Sequence, residues 1–97
     1  MDLQITVKHI EGFCPVYAVN DSFVLEYGYR LVSEKPLCMH SLAAILPFYN
    51  ALRFAAPNEL GISSNSDPAN ACVRCPDAET CTGGGAVTFE IQKVSKT

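Results

Sequence analysis

The sequence predicts a single α+β domain over residues 1–97, a small, mainly antiparallel sheet of three to four strands packed against one kinked helix, with a cysteine-rich loop. Three observations carry this. Residues 2–10, 22–31 and 87–91 alternate apolar and polar, which is the period of a half-buried strand. Residues 38–55 switch to a helical period. The order is strand, strand, helix, cysteine loop, strand, with no regular β-α-β alternation to suggest a parallel sheet.

In the first strand Leu3, Ile5 and Val7 point one way, and Asp2, Gln4, Thr6 and Lys8 the other. Glu11-Gly12 and Cys14-Pro15 break that pattern, and Asn20-Asp21 is a turn signal. In the second strand Phe23, Leu25, Tyr27 and Tyr29 alternate with Val24, Glu26, Gly28 and Arg30. Leu42, Ile45, Leu46, Tyr49 and Leu52 then form one helical stripe. Pro47 lies inside it and predicts a kink or two short helices, because proline cannot donate to the preceding turn. Residues 57–70 read as a loop or insertion, and 71–85 as a cysteine and glycine loop ending in Gly83-Gly84-Gly85. Val87, Phe89 and Ile91 face one way in the last strand.

Composition excludes several functions. Hydrophobic residues make up 48% of the chain, charged residues 18%, and the net charge is −3, so the chain is expected to be globular. The seven basic residues form no stripe, which argues against nucleic acid. No apolar run approaches a membrane span, and the start lacks the basic and apolar regions of a secretory signal. A cytoplasmic location is expected, where thiols stay reduced. The high apolar fraction leaves surface for a protein partner or a homo-oligomer.

Five cysteines in such a chain point to metal binding or thiol chemistry, and their odd number excludes complete pairing within one chain. Cys72, Cys75 and Cys81 make a C-x2-C-x5-C run. A tight turn would aim the first two sulfurs at one ion, with Cys81 as a third ligand and Cys38 or Cys14 as a fourth. Four thiolates suit zinc or an iron–sulfur cluster. Cys38 stands at the predicted helix start, where the dipole favours a thiolate. Other readings stand beside this one. The cysteines are small buried hydrophobes in a metal-free interaction domain, or Cys38 with His40, or Cys72 with Cys75, act as redox or nucleophilic thiols. A disulfide from Cys81 to Cys72 or Cys75 is a further possibility. No third residue to orient Cys38 and His40 is evident, which weighs against an enzyme. Asp77 and Glu79 read as solvated turn residues, and His9 as structural.

Short motifs across residues 3–92 carry a resemblance. They are Cys14-Pro15, Val19-Asn20-Asp21-Ser22-Phe23, Leu37-Cys38, Pro47-Phe48-Tyr49-Asn50-Ala51-Leu52-Arg53, Cys75-Pro76-Asp77 and Val87-Thr88-Phe89-Glu90-Ile91. Together they resemble a family of small, uncharacterised cysteine-containing proteins of anaerobic bacteria and archaea. The resemblance implies no activity. It carries three cysteines over, Cys14, Cys38 and Cys75, and an anaerobic setting favours iron–sulfur over zinc. The chain departs from that pattern at Asn20 and at Ala55-Ala56, where glycines are usual. It also departs in its 57–70 segment and in having Cys72 and Cys81.

Overall fold

The computed structural model describes residues 2–76 and 79–95. It forms one five-stranded sheet of β1 (Asp2–Gly12), β2 (Ser22–Glu26), β3 (Arg30–Val32), β4 (Ala71–Arg74) and β5 (Gly85–Val94). The strand order is β3-β2-β1-β5-β4, and every neighbouring pair is antiparallel. The α+β class therefore holds, with five strands rather than three or four.

The additional strands arise in two places. The continuous alternation of residues 22–31 hides a hairpin, because Tyr27 (φ 59°) and Gly28 (φ 83°) are both left-handed. That backbone pair turns the chain in the sense that matches strand twist. Tyr29 N–H donates to Glu26 O at 3.1 Å to close the turn, and the buried Asp2 carboxylate accepts from Tyr27 N–H at 3.2 Å. The other addition is β4, which lies within the stretch expected as a cysteine loop. Its outer edge is covered by the segment before it: Cys72 N–H donates to Ile62 O at 2.8 Å, and Ser63 bridges Ala71.

The central pair is β1 with β5, matched from Asp2↔Val94 to Gly12↔Gly85. A register shift between Val7 and His9 leaves Lys8 as an extra residue. That bulge turns Ile10 to the same side as Leu3, Ile5 and Val7, although the count from Val7 is odd. One face of the sheet is apolar and buried, built on Leu3, Ile5, Val7, Phe23, Leu25, Val73, Val87, Phe89 and Ile91. The opposite face carries Gln4, Thr6, Glu90 and Gln92.

Two short helices, α1 (Met39–Ile45) and α2 (Tyr49–Leu52), lie on the apolar face with Ile45 and Leu52 buried there. The chain breaks between them at Pro47, so the expected single kinked helix is instead a pair. The buried positions are Ser41, Ile45 and Leu52, while Leu46 is exposed. The helical stripe is thus rotated toward Ser41 relative to the apolar pattern. Lys93 Nζ donates to Ala55 O at 2.7 Å and ties β5 to the end of α2. The 57–70 segment contains a 3-10 turn over Pro57–Leu60 and an Asp67-centred turn in which Ala69 N–H donates to Asp67 Oδ1 at 3.0 Å. No helix among the described residues is long and apolar enough to cross a membrane.

Gly85 sits where β5 passes closest to the end of β1. A Cβ there would lie 2.7 Å from Glu11 O and 2.6 Å from Phe13 O, far inside van der Waals contact with backbone that cannot swing aside. Gly85→Ala is expected to lower stability by roughly 1–3 kcal/mol, the usual range for overpacking. Urea denaturation checks this, and an unchanged midpoint would contradict it.

Candidate thiol-lined cavity

Three separate parts of the chain meet at one end of the apolar face. They are the 13–21 loop after β1, the start of α1, and the segment just past β4. Between them lies a cavity of about 340 Å³ lined by Cys14, Cys38 and Cys75, with His40 also on its wall. Phe13, Pro15, Tyr17, Val87 and Phe89 supply apolar lining, and Gly83–Gly85 forms one side. Among the described residues lining it there is no lysine, arginine, aspartate or glutamate.

Each cysteine is placed by a different device. Cys75 is buried and extends the β4–β5 ladder by one step: its N–H donates to Val87 O at 2.9 Å. Val87 N–H donates in return to Cys75 Sγ at 3.1 Å. Cys14 is half-buried, and its Sγ accepts from Tyr17 N–H at 3.4 Å. Cys38 is the N-cap of α1 in extended conformation, and its N–H donates to Tyr17 Oη at 2.9 Å.

Tyr17 therefore holds two of the three cysteine segments. Its hydroxyl lies 2.7 Å from Ser41 Oγ, and Ser41 Oγ donates to Cys38 O at 2.7 Å. Proton counting sets the directions. Ser41 spends its one proton on Cys38 O, so Tyr17 must donate to Ser41 while accepting from Cys38 N–H. The result is a closed ring of three hydrogen bonds in which both hydroxyls are buried. The Tyr17 ring is fixed by an edge-on contact with Phe89 at 5.6 Å and a stacked one with Phe23 at 6.3 Å. Neither Tyr17 nor Ser41 stood out in the sequence. The available signal was position: Tyr17 follows Cys14 by three residues and Ser41 follows Cys38 by three.

The loop carrying Cys14 and Tyr17 is closed by Asp21. Its carboxylate accepts from Ala18 N–H at 2.9 Å and pairs with Lys35 Nζ at 2.7 Å. Backbone bonds link Asp21 O and Asn20 N–H to Val7, each at 2.8 Å. The Lys35 hydrogen bond, helped by that of Ala18, holds the Asp21 carboxyl below the usual aspartate value.

The C-x2-C-x5-C run does not converge. Cys72 pairs with Glu90 on β5, and Ala71 and Val73 on either side of it are buried in the core. In a strand, residues three apart point to opposite faces, so Cys72 looks away from the core face that Cys75 occupies. Cys81 is exposed on the four-residue helix α3 (Glu79–Thr82) and is not part of the cavity lining. All five cysteines are free thiols. Among the described residues no group of three or more His, Cys, Asp or Glu side chains is gathered tightly enough to hold a metal ion. The three cysteines share a cavity, not a point. Asp77 and the side chain of Glu79 lie outside the described residues. His9 is on an exposed part of β1, 3.8 Å from Glu11.

No protein-family model, curated protein or solved structure matches the chain.

Tyr17→Phe removes the hub of the ring and leaves Cys38 N–H and the Ser41 hydroxyl short of a partner. It is expected to cost about 1–3 kcal/mol, the penalty for unsatisfied buried polar groups. It should also raise the alkylation rates of Cys14 and Cys38 relative to Cys81, read by mass spectrometry under native conditions. An unchanged melting point together with unchanged alkylation would contradict this role. Asp21 makes an acid prediction. Its folded pKa is depressed, so its contribution is complete above the ordinary aspartate pKa and is lost as pH falls through the lower folded value. The 13–21 loop should loosen in that window, seen as faster amide exchange at Ala18, and Asp21→Asn should remove the pH dependence.

Proposed function

We propose that this protein is a small iron–sulfur-binding module that holds its cluster in the cavity lined by Cys14, Cys38 and Cys75. One observation carries the reading: three cysteines from three distant segments line the same apolar cavity. Two of their sulfurs accept backbone N–H bonds, and such bonds are among the features that set cluster potentials. The same three cysteines are those the family resemblance carries over. Asn20 adopts φ 76°, a conformation glycine takes most easily, and glycine is usual there in the family the chain resembles.

A cluster is the choice here over zinc because no three ligating side chains among the described residues are gathered tightly enough for a single ion. Four thiolates around one zinc at about 2.3 Å each must lie only about 3.8 Å apart. A polynuclear cluster spreads its ligands over a wider span and fills volume between them. The apolar wall would shield it from water, and its role would be electron transfer or support of a larger enzyme in a reducing compartment. A redox dithiol of Cys72 and Cys75 receives no support, because the two face opposite sides of β4.

A second reading has its own observation. Tyr29, Leu31, Met39 and Leu46 are exposed along an apolar groove between the β2–β3 hairpin and α1. A face of that kind suits a protein-interaction domain, with or without a cluster.

Anaerobic reconstitution with iron and sulfide, followed by metal analysis and a visible spectrum, tests the proposal. The expected outcome is a brown protein with stoichiometric iron and sulfide. Cys14→Ser, Cys38→Ser and Cys75→Ser should each lose most of it, whereas Cys72→Ser and Cys81→Ser should retain it. A colourless protein, or a cluster that depends on Cys72 or Cys81, would overturn the assignment.

A further inference from the structure

We infer that the chain forms a two-fold dimer in which β3 pairs with β3 of a second copy, joining two five-stranded sheets edge to edge. This inference rests on the second reading above, the apolar groove as an interaction face, and names its partner. The two edges of the sheet differ. β4 is covered, because the backbone of Ile62 and Ser63 pairs along it. β3 is the terminal strand at the other edge, and all three of its residues are exposed. Among the described residues no backbone group from outside the hairpin bonds to it. An open strand edge is a template for a further strand. Its flank is apolar as well. Tyr29 (81% exposed), Leu31 (43%), Met39 (75%) and Leu46 (62%) line the groove between the hairpin and α1, and Val32 (40%) follows on the strand. Their exposed parts come to several hundred Å², about the largest patch a monomer carries. That is most of the roughly 800 Å² per partner that a stable interface buries.

A second copy suits this edge better than a foreign strand. β3 has three residues, so an added peptide would gain few backbone bonds, and side-chain burial must supply the rest. A second copy brings the same apolar flank, and a two-fold axis normal to the sheet sets the two grooves side by side on one face. Parity then fixes the register. Residues directly opposite in an antiparallel pair share a face, so the axis passes through a residue and not between two. An axis through Arg30 would set two guanidinium groups against each other. An axis through Val32 would place Arg30 against Glu34, which lies beyond the strand. An axis through Leu31, the middle of β3, pairs all three residues: Leu31 meets Leu31 of the second copy, and Arg30 meets its Val32. The Arg30 stem then covers valine while its guanidinium stays with Glu26, 3.7 Å away. The hairpin is braced for this contact, since the Arg53 guanidinium lies over Gly28, where any Cβ would collide with it.

The test is sedimentation velocity of the full chain in reductant, over a concentration series. The expected mass at the upper end is twice the 10.5 kDa of one chain. Leu31→Asp places two carboxylates face to face across the axis and should weaken the dimer by roughly tenfold or more, since like charges directly opposite are destabilising. Met39→Lys, on an exposed helix position, should weaken it without touching the sheet, and circular dichroism of both variants should match the unaltered chain. Val19→Asp, exposed on the 13–21 loop and outside the groove, should leave the dimer intact. Leu31→Cys should form a disulfide-linked dimer under mild oxidation, several-fold faster than Val19→Cys, because a residue on the axis faces its own copy. A dimer that persists in both Leu31→Asp and Met39→Lys would overturn the inference. A monomer at every concentration would do so too, and binding of an apolar dye then separates the two readings. Dye binding by the unaltered monomer that Leu31→Asp reduces would keep the interaction face and assign it a different partner. No dye binding would defeat the face as well.

Discussion

A strand turns successive side chains to opposite faces, and among the described residues the helices cover one of those faces. That parity decides what can meet what. It gathers Leu3, Ile5, Val7, Phe89 and Ile91 into the core and leaves Gln4, Thr6 and Glu90 on the other side. It also sorts the cysteines. Cys75, two residues on from Val73, falls on the covered face, whereas Cys72 falls on the open one. The bulge at Lys8 is the one place where β1 changes parity, and it keeps Ile10 facing inward.

Within that frame, the cavity is organised by a tyrosine rather than by its cysteines. The Tyr17 amide holds Cys14 and the Tyr17 hydroxyl holds Cys38. Ser41 closes the ring, and Phe89 and Phe23 hold the phenol in place. Cys75 is held independently, by the backbone of β5 at Val87. The thiols are therefore positioned by two unrelated supports, one a side-chain hydrogen-bond ring and one an extension of a sheet ladder. Buried polar groups of this kind specify a single arrangement when every member is satisfied.

Much of the fold was legible because period-two alternation is a strong signal. The central strands read correctly from Leu3, Ile5 and Val7 and from Val87, Phe89 and Ile91. The β2–β3 hairpin did not, because Tyr27 and Tyr29 continue the alternation straight through the turn, and only Gly28 marks it. β4 was obscured by its own cysteine, whose spacing to Cys75 suggests a metal-binding turn when the backbone is in fact extended. Pro47 separated the helices as proline should, but the buried face includes Ser41, a polar residue that no apolar pattern can reveal. Spacing within 72–81 misdirected attention to local neighbours. The cysteines that do share a cavity are tens of residues apart, where no local spacing can join them.

The pairing of β1 with β5 joins residues 2–12 to residues 85–94, far apart in the sequence. Such a contact closes a long loop, and its entropic cost must be met before the sheet has a centre. Without β5, β1 has β2 as its one neighbour in the sheet and its other edge is bare. Cys75 has its hydrogen-bonded place beside β5, so the thiol cavity depends on that strand. Whatever that cavity receives therefore meets a complete set of walls only where β5 has joined the sheet.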